Sequence, residues 1–140
     1  MDHCATLKFQ RKATTFEAWV SRCFDDWFAA GPEADDYWQK YEKFRGSTYD
    51  QALKNFSCNH VFDFDHYHLD RADVVILILP AGESGHLELG YAIGKGKPGY
   101  ILFDKEPERW DAMYRFASGV YFDTELLGQE LVQLEKFRAK

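Results

Sequence analysis

The chain has 140 residues, of which 46% are apolar or aromatic and 29% are charged, with a formal net charge of −6 at pH 7. This composition is typical of one globular domain that buries very roughly two thirds of the surface its unfolded chain exposes. Since no apolar run approaches the roughly 20 residues of a membrane span and no targeting segment is visible, we expect a cytoplasmic protein without a membrane partner. The modest, dispersed acidic excess argues against nucleic acid as a partner, and a small molecule fits better.

The three cysteines give no sign of a disulfide framework. Cys4, Cys23 and Cys58 are an odd number and have no CxxC spacing. We therefore expect reduced thiols that behave as small hydrophobic side chains.

The first third of the chain carries mainly helical patterns. Residues 5–9 predict a short strand, and aromatic side chains then recur at helical spacing and predict an amphipathic helix over residues 16–28. The apolar stripe of this helix consists of Phe16, Val20, Cys23, Phe24, Trp27 and Phe28. We expect the stripe to be a core face, with an exposed docking face as the alternative. Residues 33–56 predict two short helices that are separated near Gly46.

The stretch over residues 72–91 is the most informative part of the sequence. Residues 73–79 carry an apolar run rich in β-branched side chains, which predicts a central strand covered on both faces of a parallel sheet. Residues 80–85 break the regular structure at the carboxyl end of that strand, the edge where open α/β sheets bind ligands. A helix over residues 86–94 follows.

The flanking segments continue the alternation of strands and helices. Residues 60–64 predict a short strand or extended segment, and residues 65–71 predict one or two helical turns. Downstream, the predicted elements are a strand over residues 100–103, a helix over 106–117, a strand over 119–122 and a terminal helix capped by Thr124. We therefore expect one Rossmann- or flavodoxin-like α/β domain over residues 1–140, with a mostly parallel sheet, helices on both faces and an atypical segment over residues 1–35.

The glycine loop favours a ligand site without matching a phosphate-binding motif. Because Gly82 and Gly85 have no Cβ, we expect positive φ angles and close approach of a ligand there. A helix that begins near Ser84 presents free amide donors to the same place, so an anion or a sugar hydroxyl would fit. The segment matches neither GxxxxGK[ST] nor GxGxxG, and a plain strand-to-helix turn stays the alternative.

Two acidic residues are candidate catalytic groups. Glu88 lies in the first turns of the predicted helix, where the helix dipole favours its charged form by about 0.3–1 kcal/mol, and a capping glutamate without chemistry is the alternative. If Asp65 approaches the same edge, two carboxylates flank one pocket and can divide nucleophilic and acid/base roles at a glycosidic centre. The acids and histidines of residues 63–68 lack the partner set of a zinc site, so a metal is not expected.

The sequence contains a longer motif, which consists of Asp65, Asp73 and the segment LPAGESGHLELG at residues 79–90. This pattern resembles the nucleoside 2-deoxyribosyltransferase superfamily, which includes the deoxynucleoside-monophosphate N-glycosidases. The similarity runs over residues 36–127 and is closest to short, often phage-encoded members with an LPxGxSxHLExG segment.

The resemblance implies a reaction and a set of roles. Glu88 is implied to attack the anomeric carbon of a (deoxy)ribose, while Asp65 assists at the base and leaving group. The sugar then passes from a glycosyl ester on Glu88 to another base or to water, with no metal or redox cofactor. The loop is implied to hold the sugar or its 5′-phosphate, and family members commonly complete their pockets in a homodimer or larger homo-oligomer. The residues implied to bind the substrate are Gly82, Ser84, Gly85, His86 and Asp73.

The start of the chain departs from the family pattern. Members usually open with a strand of the type I-Y-L-A-G-P that lines the pocket, and residues 1–32 contain no match to it. Two other functions stay open. One is a TIR-like NAD glycohydrolase, which resembles this family in fold and uses a helix glutamate against a ribosyl bond. The other is a non-catalytic nucleotide-binding or interaction domain of the same fold.

Overall fold

A computed structural model of the chain describes residues 3–7 and 34–138. The helix predicted over residues 16–28, with its Cys23, lies outside the described residues. The strands are β1 (His3–Leu7), β2 (Val74–Leu79), β3 (Gly99–Phe103) and β4 (Gly119–Tyr121). The helices are α1 (Ala34–Phe44), α2 (Tyr49–Ala52), α3 (Phe56–Arg71), α4 (Glu83–Gly94) and α5 (Thr124–Arg138), with a 3₁₀ helix at Ala112–Phe116. No helix within these described ranges is long and apolar enough to span a bilayer.

The strands form one sheet in the order β1-β2-β3-β4. β2, β3 and β4 are parallel, with Leu79 opposite Phe103, whereas β1 pairs with β2 in the antiparallel direction, with His3 opposite Ile78. The expected small α/β domain with a mostly parallel sheet is thus confirmed. The first strand begins two positions earlier than predicted. The amino end of β1 therefore lies at the same edge of the sheet as the carboxyl ends of β2 and β3.

Both faces of the central strands are buried. One apolar cluster faces α3 and α4 and comprises Leu69, Ala72, Val75, Leu77, Leu79, Leu89, Ala92, Ile101 and Phe103. The other faces α5 and comprises Val74, Ile76, Tyr100, Leu102, Leu127 and Leu131. Because successive side chains of a strand point to opposite faces, an apolar run without polar alternation is what a strand covered on both sides requires. Helices on both faces are confirmed.

The strand predicted over residues 60–64 is wrong. These residues lie inside α3, which runs for 16 residues from Phe56 to Arg71. The run Val-Phe-Asp-Phe alternates like a strand, but Leu69 packs against the sheet at 6% exposure and Val61, two turns earlier, is half-buried. A short apolar run cannot be assigned by its own alternation, and the longer helical spacing decides the structure here.

The helix predicted over residues 106–117 is also wrong for most of its length, since only Ala112–Phe116 is helical and in the 3₁₀ form. Of the predicted stripe, Tyr114 and Ala117 pack against the core, whereas Trp110 is 80% exposed and Met113 is 63% exposed. An apolar stripe that is not buried along its length lacks the tertiary packing that stabilises most helices.

Single residues set two of the helix boundaries. Gly46 separates α1 from α2, as predicted, and its φ of 75° is a conformation that glycine adopts without a steric penalty. At α5 the cap differs from the prediction. The Oδ1 atom of Asp123, one residue before Thr124, accepts the amide protons of Glu125 at 2.7 Å and Leu126 at 3.0 Å. Asp123 stands just before the helix, where an N-cap side chain can reach the first-turn amides, whereas Thr124 is already the first helical residue.

Candidate active site

The predicted loop leaves the carboxyl end of β2 and leads directly into α4. Pro80 follows a cis peptide bond, and Gly82 is the last residue before the helix. The positive φ angles expected for the glycines are wrong. Gly82 has φ −80° and ψ −170°, an extended conformation, and Gly85 lies buried inside α4. The first-turn amides of α4 still point out at this edge with the positive end of the helix dipole, beside the exposed Ser84.

His86 connects the loop to a distant part of the chain through two hydrogen bonds. Its Nδ1 atom lies 2.8 Å from the carbonyl oxygen of Gly82, and its Nε2 atom lies 2.9 Å from the phenol oxygen of Tyr114. A carbonyl oxygen only accepts, so Nδ1 carries the proton; in the neutral imidazole the Tyr114 hydroxyl then donates to Nε2. Both ring nitrogens are therefore engaged within the chain. In this arrangement His86 positions the loop, whereas the sequence pattern grouped it with the substrate-binding residues.

Tyr114 is a residue of this site that sequence reasoning did not identify. Its ring stacks on His86 at an interplanar angle of 18° and meets Phe103, at the end of β3, nearly edge-on. Burial, with a smaller contribution from Asp111, raises the pKa of Tyr114, so its hydroxyl is a protonated donor at neutral pH. The stretch between β3 and β4 is thereby tied to the β2–α4 loop, and the two together form the carboxyl edge of the parallel strands.

The two candidate catalytic acids lie on neighbouring helices. Asp65 is half-buried on α3 and Glu88 is half-buried on α4, and both helices cover the same face of the sheet. His66 contacts Tyr91 and Asp70 contacts Lys95, in both cases across 25 residues, so the helices run in the same direction with one register. At 1.5 Å per residue, that register puts Asp65 and Glu88 at levels within about 3 Å of one another along the helix axes.

Asp73 lies at the other end of β2. The guanidinium of Arg138, at the end of α5, lies 3.6 Å from its Oδ1 atom and donates to its carbonyl oxygen at 3.1 Å. The strand Val74–Leu79 separates this pair from the loop, a length of roughly 20 Å at about 3.3 Å per residue. The structure therefore does not bring Asp73 to the loop, because the first and last residues of a strand lie at opposite edges of the sheet.

The acids and histidines of residues 63–68 are distributed around α3. His66 contacts Tyr91, while His68 packs its ring against Phe64 at a centroid distance of 4.4 Å. Within residues 3–7 and 34–138, no group of three or more His, Cys, Asp or Glu side chains is arranged to hold a metal ion. Consecutive helical residues point in directions about 100° apart, so an alternating D-x-D-H-x-H pattern does not converge on one point.

Comparison of the chain with protein-family models, with curated protein sequences and with solved structures finds no match. The function of the chain is therefore inferred from its own residues. What the edge offers chemically is a set of amide donors at the start of α4, the hydroxyl of Ser84, and the carboxylates of Asp65 and Glu88 on the helices beneath it. Such a set suits an anionic or hydroxyl-rich ligand and a reaction in which carboxylates act as nucleophile and acid/base.

Proposed function

We propose that this protein binds a nucleoside or nucleotide at the carboxyl edge of its sheet and cleaves or transfers the N-glycosidic bond. The observation that carries the proposal is the common register of α3 and α4, which puts Asp65 and Glu88 at one level on one face of the sheet. The resemblance of residues 79–90 to deoxyribosyltransferase-like enzymes supports the same chemistry.

In the proposed reaction Glu88 is the nucleophile. One of its oxygens bonds to the anomeric carbon while the bond from that carbon to the base nitrogen breaks, and the base leaves with a proton delivered by Asp65. The resulting glycosyl ester then reacts with water or with a second base, whose proton passes to Asp65 as the new bond to the anomeric carbon forms and the ester bond to Glu88 breaks. Ser84 and the first-turn amides of α4 hold the sugar hydroxyls or the 5′-phosphate, where the helix dipole favours negative charge. His86 and Tyr114 keep the loop in place for that contact.

The test is release of free base, followed by chromatography, from deoxynucleosides, deoxynucleotides and NAD. We expect release from a deoxynucleoside or deoxynucleotide by the wild type, none detectable with Glu88→Gln, and a decrease of about 10²–10⁴-fold with Asp65→Asn. Glu83→Gln, an exposed carboxylate in the first turn of the same helix, is the matched control and should retain activity. No release by the wild type, or undiminished release by Glu88→Gln, contradicts the proposal.

The same experiment separates the alternatives. Release of nicotinamide from NAD, without release from deoxynucleosides, indicates a TIR-like NAD glycohydrolase instead. A nucleotide affinity measured by calorimetry, without any turnover, indicates a binding domain that has the fold without the chemistry. Each outcome assigns a different function to the same edge of the sheet.

A homo-oligomer is part of the proposal. Tyr37, Tyr41 and Phe44 recur at helical spacing on α1, with 63, 53 and 92% of their surfaces exposed. Exposed aromatic side chains in such a stripe are typical of protein interfaces. Light scattering coupled to gel filtration tests it: we expect at least a dimer in the wild type and a smaller species with Phe44→Ser. A monomeric wild type contradicts this part of the proposal.

A further inference from the structure

Four polar side chains connect the two helices just beyond the candidate acids: His66 and Asp70 on α3, Tyr91 on α4, and Lys95, the residue after α4. The Tyr91 hydroxyl donates to Oδ1 of Asp70 at 2.7 Å, and Nε2 of His66 lies 2.7 Å from the same phenol oxygen. Because the Tyr91 proton is used toward Asp70, its oxygen accepts from His66, which therefore carries a proton on Nε2. Lys95 adds its ammonium 3.5 Å from Asp70. Tyr91 is the central member of this network, with one contact to each of two successive turns of α3.

The hydrogen bond from Tyr91 is also the leading reason that the pKa of Asp70 lies below its ordinary value of 3.8, with Lys95 and His66 contributing in the same direction. Asp70 is therefore a carboxylate at neutral pH. The contact from His66 to Tyr91 persists whether the imidazole is neutral or protonated, because Nε2 carries a proton in both forms. The network is thus a constant link across the neutral pH range rather than a switch.

Directional contacts add to the apolar packing of this helix pair. The apolar contacts beneath it, such as those of Leu69 and Leu89 in one core cluster, depend on buried area and not on direction. Interdigitated side chains already oppose sliding of the two helices, and a phenol with one donor and one acceptor partner narrows the range of their relative positions further. Tyr91 lies one helical turn after Glu88, and His66 follows Asp65 directly in the chain.

We propose that Tyr91 is a positioning residue: by bonding to both His66 and Asp70 it holds α3 and α4 in the register that aims Asp65 and Glu88 at the same substrate. The inference rests on the proposed function and assigns Tyr91 no contact with substrate. Displacement of a catalytic group by about 1 Å can lower a rate by roughly 10²-fold, so loss of the link acts on the chemical step more than on binding.

The first test is kinetic. Tyr91→Phe removes only the phenol oxygen, and we expect kcat to fall by about 10–100-fold with KM changed by less than about threefold. Tyr67→Phe is the matched control, since Tyr67 is a 55% exposed tyrosine on α3 outside the network, and it should keep the wild-type kcat. An unchanged kcat in Tyr91→Phe, or an equal loss in both variants, contradicts the inference.

A second pair of variants distinguishes loss of the hydrogen bond to Tyr91 from a general disruption of the fold. His66→Gln retains an N–H donor near the position of Nε2 and should keep most of the activity, whereas His66→Leu lacks the donor and should lose as much as Tyr91→Phe. Thermal unfolding of all variants checks that the fold is intact. If His66→Gln and His66→Leu lose activity equally, the hydrogen bond to Tyr91 is not what matters.

A spectroscopic measurement separates this inference from the proposed function. In ¹⁵N-detected imidazole spectra, the neutral His66 ring should carry its proton on Nε2, and Tyr91→Phe should change its tautomer balance. An unchanged His66 in Tyr91→Phe contradicts the link, whatever the activity. If Tyr91→Phe changes the His66 tautomer balance as expected but the wild type releases no base, the proposed function is contradicted. The catalytic role of the link is then contradicted with it.

Discussion

The hydroxyl of Tyr114 lies 2.9 Å from Nε2 of His86, whose Nδ1–H donates to the Gly82 carbonyl. This pair ties the segment after β3 to the loop after β2, two parts of the chain that meet only because parallel strands end at one edge. The imidazole is a bridge with one bond to the backbone of its own loop and one to a distant side chain. Removal of the Tyr114 hydroxyl leaves Nε2 of His86 without this hydrogen bond.

Tyr114→Phe tests the bridge directly. The variant keeps the ring against Phe103 but loses the hydrogen bond to Nε2, and we expect the free energy of unfolding to fall by about 0.5–1.5 kcal/mol. Urea denaturation measures the change. Tyr49→Phe, an exposed tyrosine on α2, is the control and should stay within about 0.5 kcal/mol of the wild type. Equal stability of Tyr114→Phe and the wild type would show that the bond contributes nothing.

Two glycines, Gly90 within α4 and Gly99 at the start of β3, predict opposite outcomes for the same substitution. A Cβ at Gly99, the first residue of β3, would lie 2.7 Å from Cγ1 of Ile93 and 2.8 Å from Cδ1 of Leu89. Gly99→Ala should destabilise the fold by about 1–3 kcal/mol through overpacking. A Cβ at Gly90 meets nothing within 4 Å, so Gly90→Ala should stabilise α4 by about 0.5–1 kcal/mol. Denaturant midpoints for both variants check the pair, and a stable Gly99→Ala would mean that α4 shifts freely against β3.

Glu42 is a buried carboxylate that joins α1 to the start of α3. It is 1% exposed and accepts hydrogen bonds from the hydroxyl of Ser57, from Asn55 Nδ2 at 2.7 Å and from the hydroxyl of Ser47 at 2.7 Å. These three bonds, in that order of importance, lower the pKa of Glu42 below its ordinary value of 4.5, with a small further contribution from Arg45. The carboxylate form thus contributes stability that is fully present above about pH 4.5 and is lost as the pH falls through the lower, folded-state pKa.

Glu42→Gln should remove that part of the pH dependence. At neutral pH we expect a Tm lower by several degrees, because an amide nitrogen faces groups that donate to the carboxylate. Below pH 4.5 the difference from the wild type should shrink, since the wild type loses the same contacts by protonation. Thermal melts between pH 3 and pH 7 measure this, with Glu125→Gln as an exposed control. Parallel Tm curves for Glu42→Gln and the wild type would contradict the assignment.

Lys97 caps the carboxyl end of α3. Its ammonium donates to the carbonyl oxygens of Leu69 at 2.6 Å, Asp70 at 2.6 Å and Ala72 at 2.8 Å. Lys97→Met keeps the apolar stem and removes these charged donors, which should cost about 1.5–3 kcal/mol in urea denaturation. Lys95→Met loses a half-exposed ion pair with Asp70 and a contact with the Tyr91 ring, and it should lose less stability than Lys97→Met. If the two variants lose equal stability, the carbonyl contacts of Lys97 are not what stabilises the junction.

Some features of the fold and site follow from local pattern alone. The run over residues 74–79 has no polar alternation because both faces of the strand are covered, and this pattern predicts a central strand. The break after it and the helix that carries Glu88 follow from glycines and spacing within a few residues. By contrast, residues 60–64 have the alternation of a strand and are helical, because α3 buries a stripe along its whole length that a short window does not reveal.

In the candidate site, too, some features follow from local sequence and others depend on tertiary contacts. Local pattern is enough to assign the residues at the end of β2 and at the start of α4, since neighbours in the chain stay neighbours in space. Tertiary packing pairs Asp73 with Arg138 at the opposite edge, brings the Tyr114 hydroxyl to His86, and gives α3 and α4 one register. These contacts join residues far apart in the chain, and they depend on how buried surfaces pack, which no local periodicity encodes.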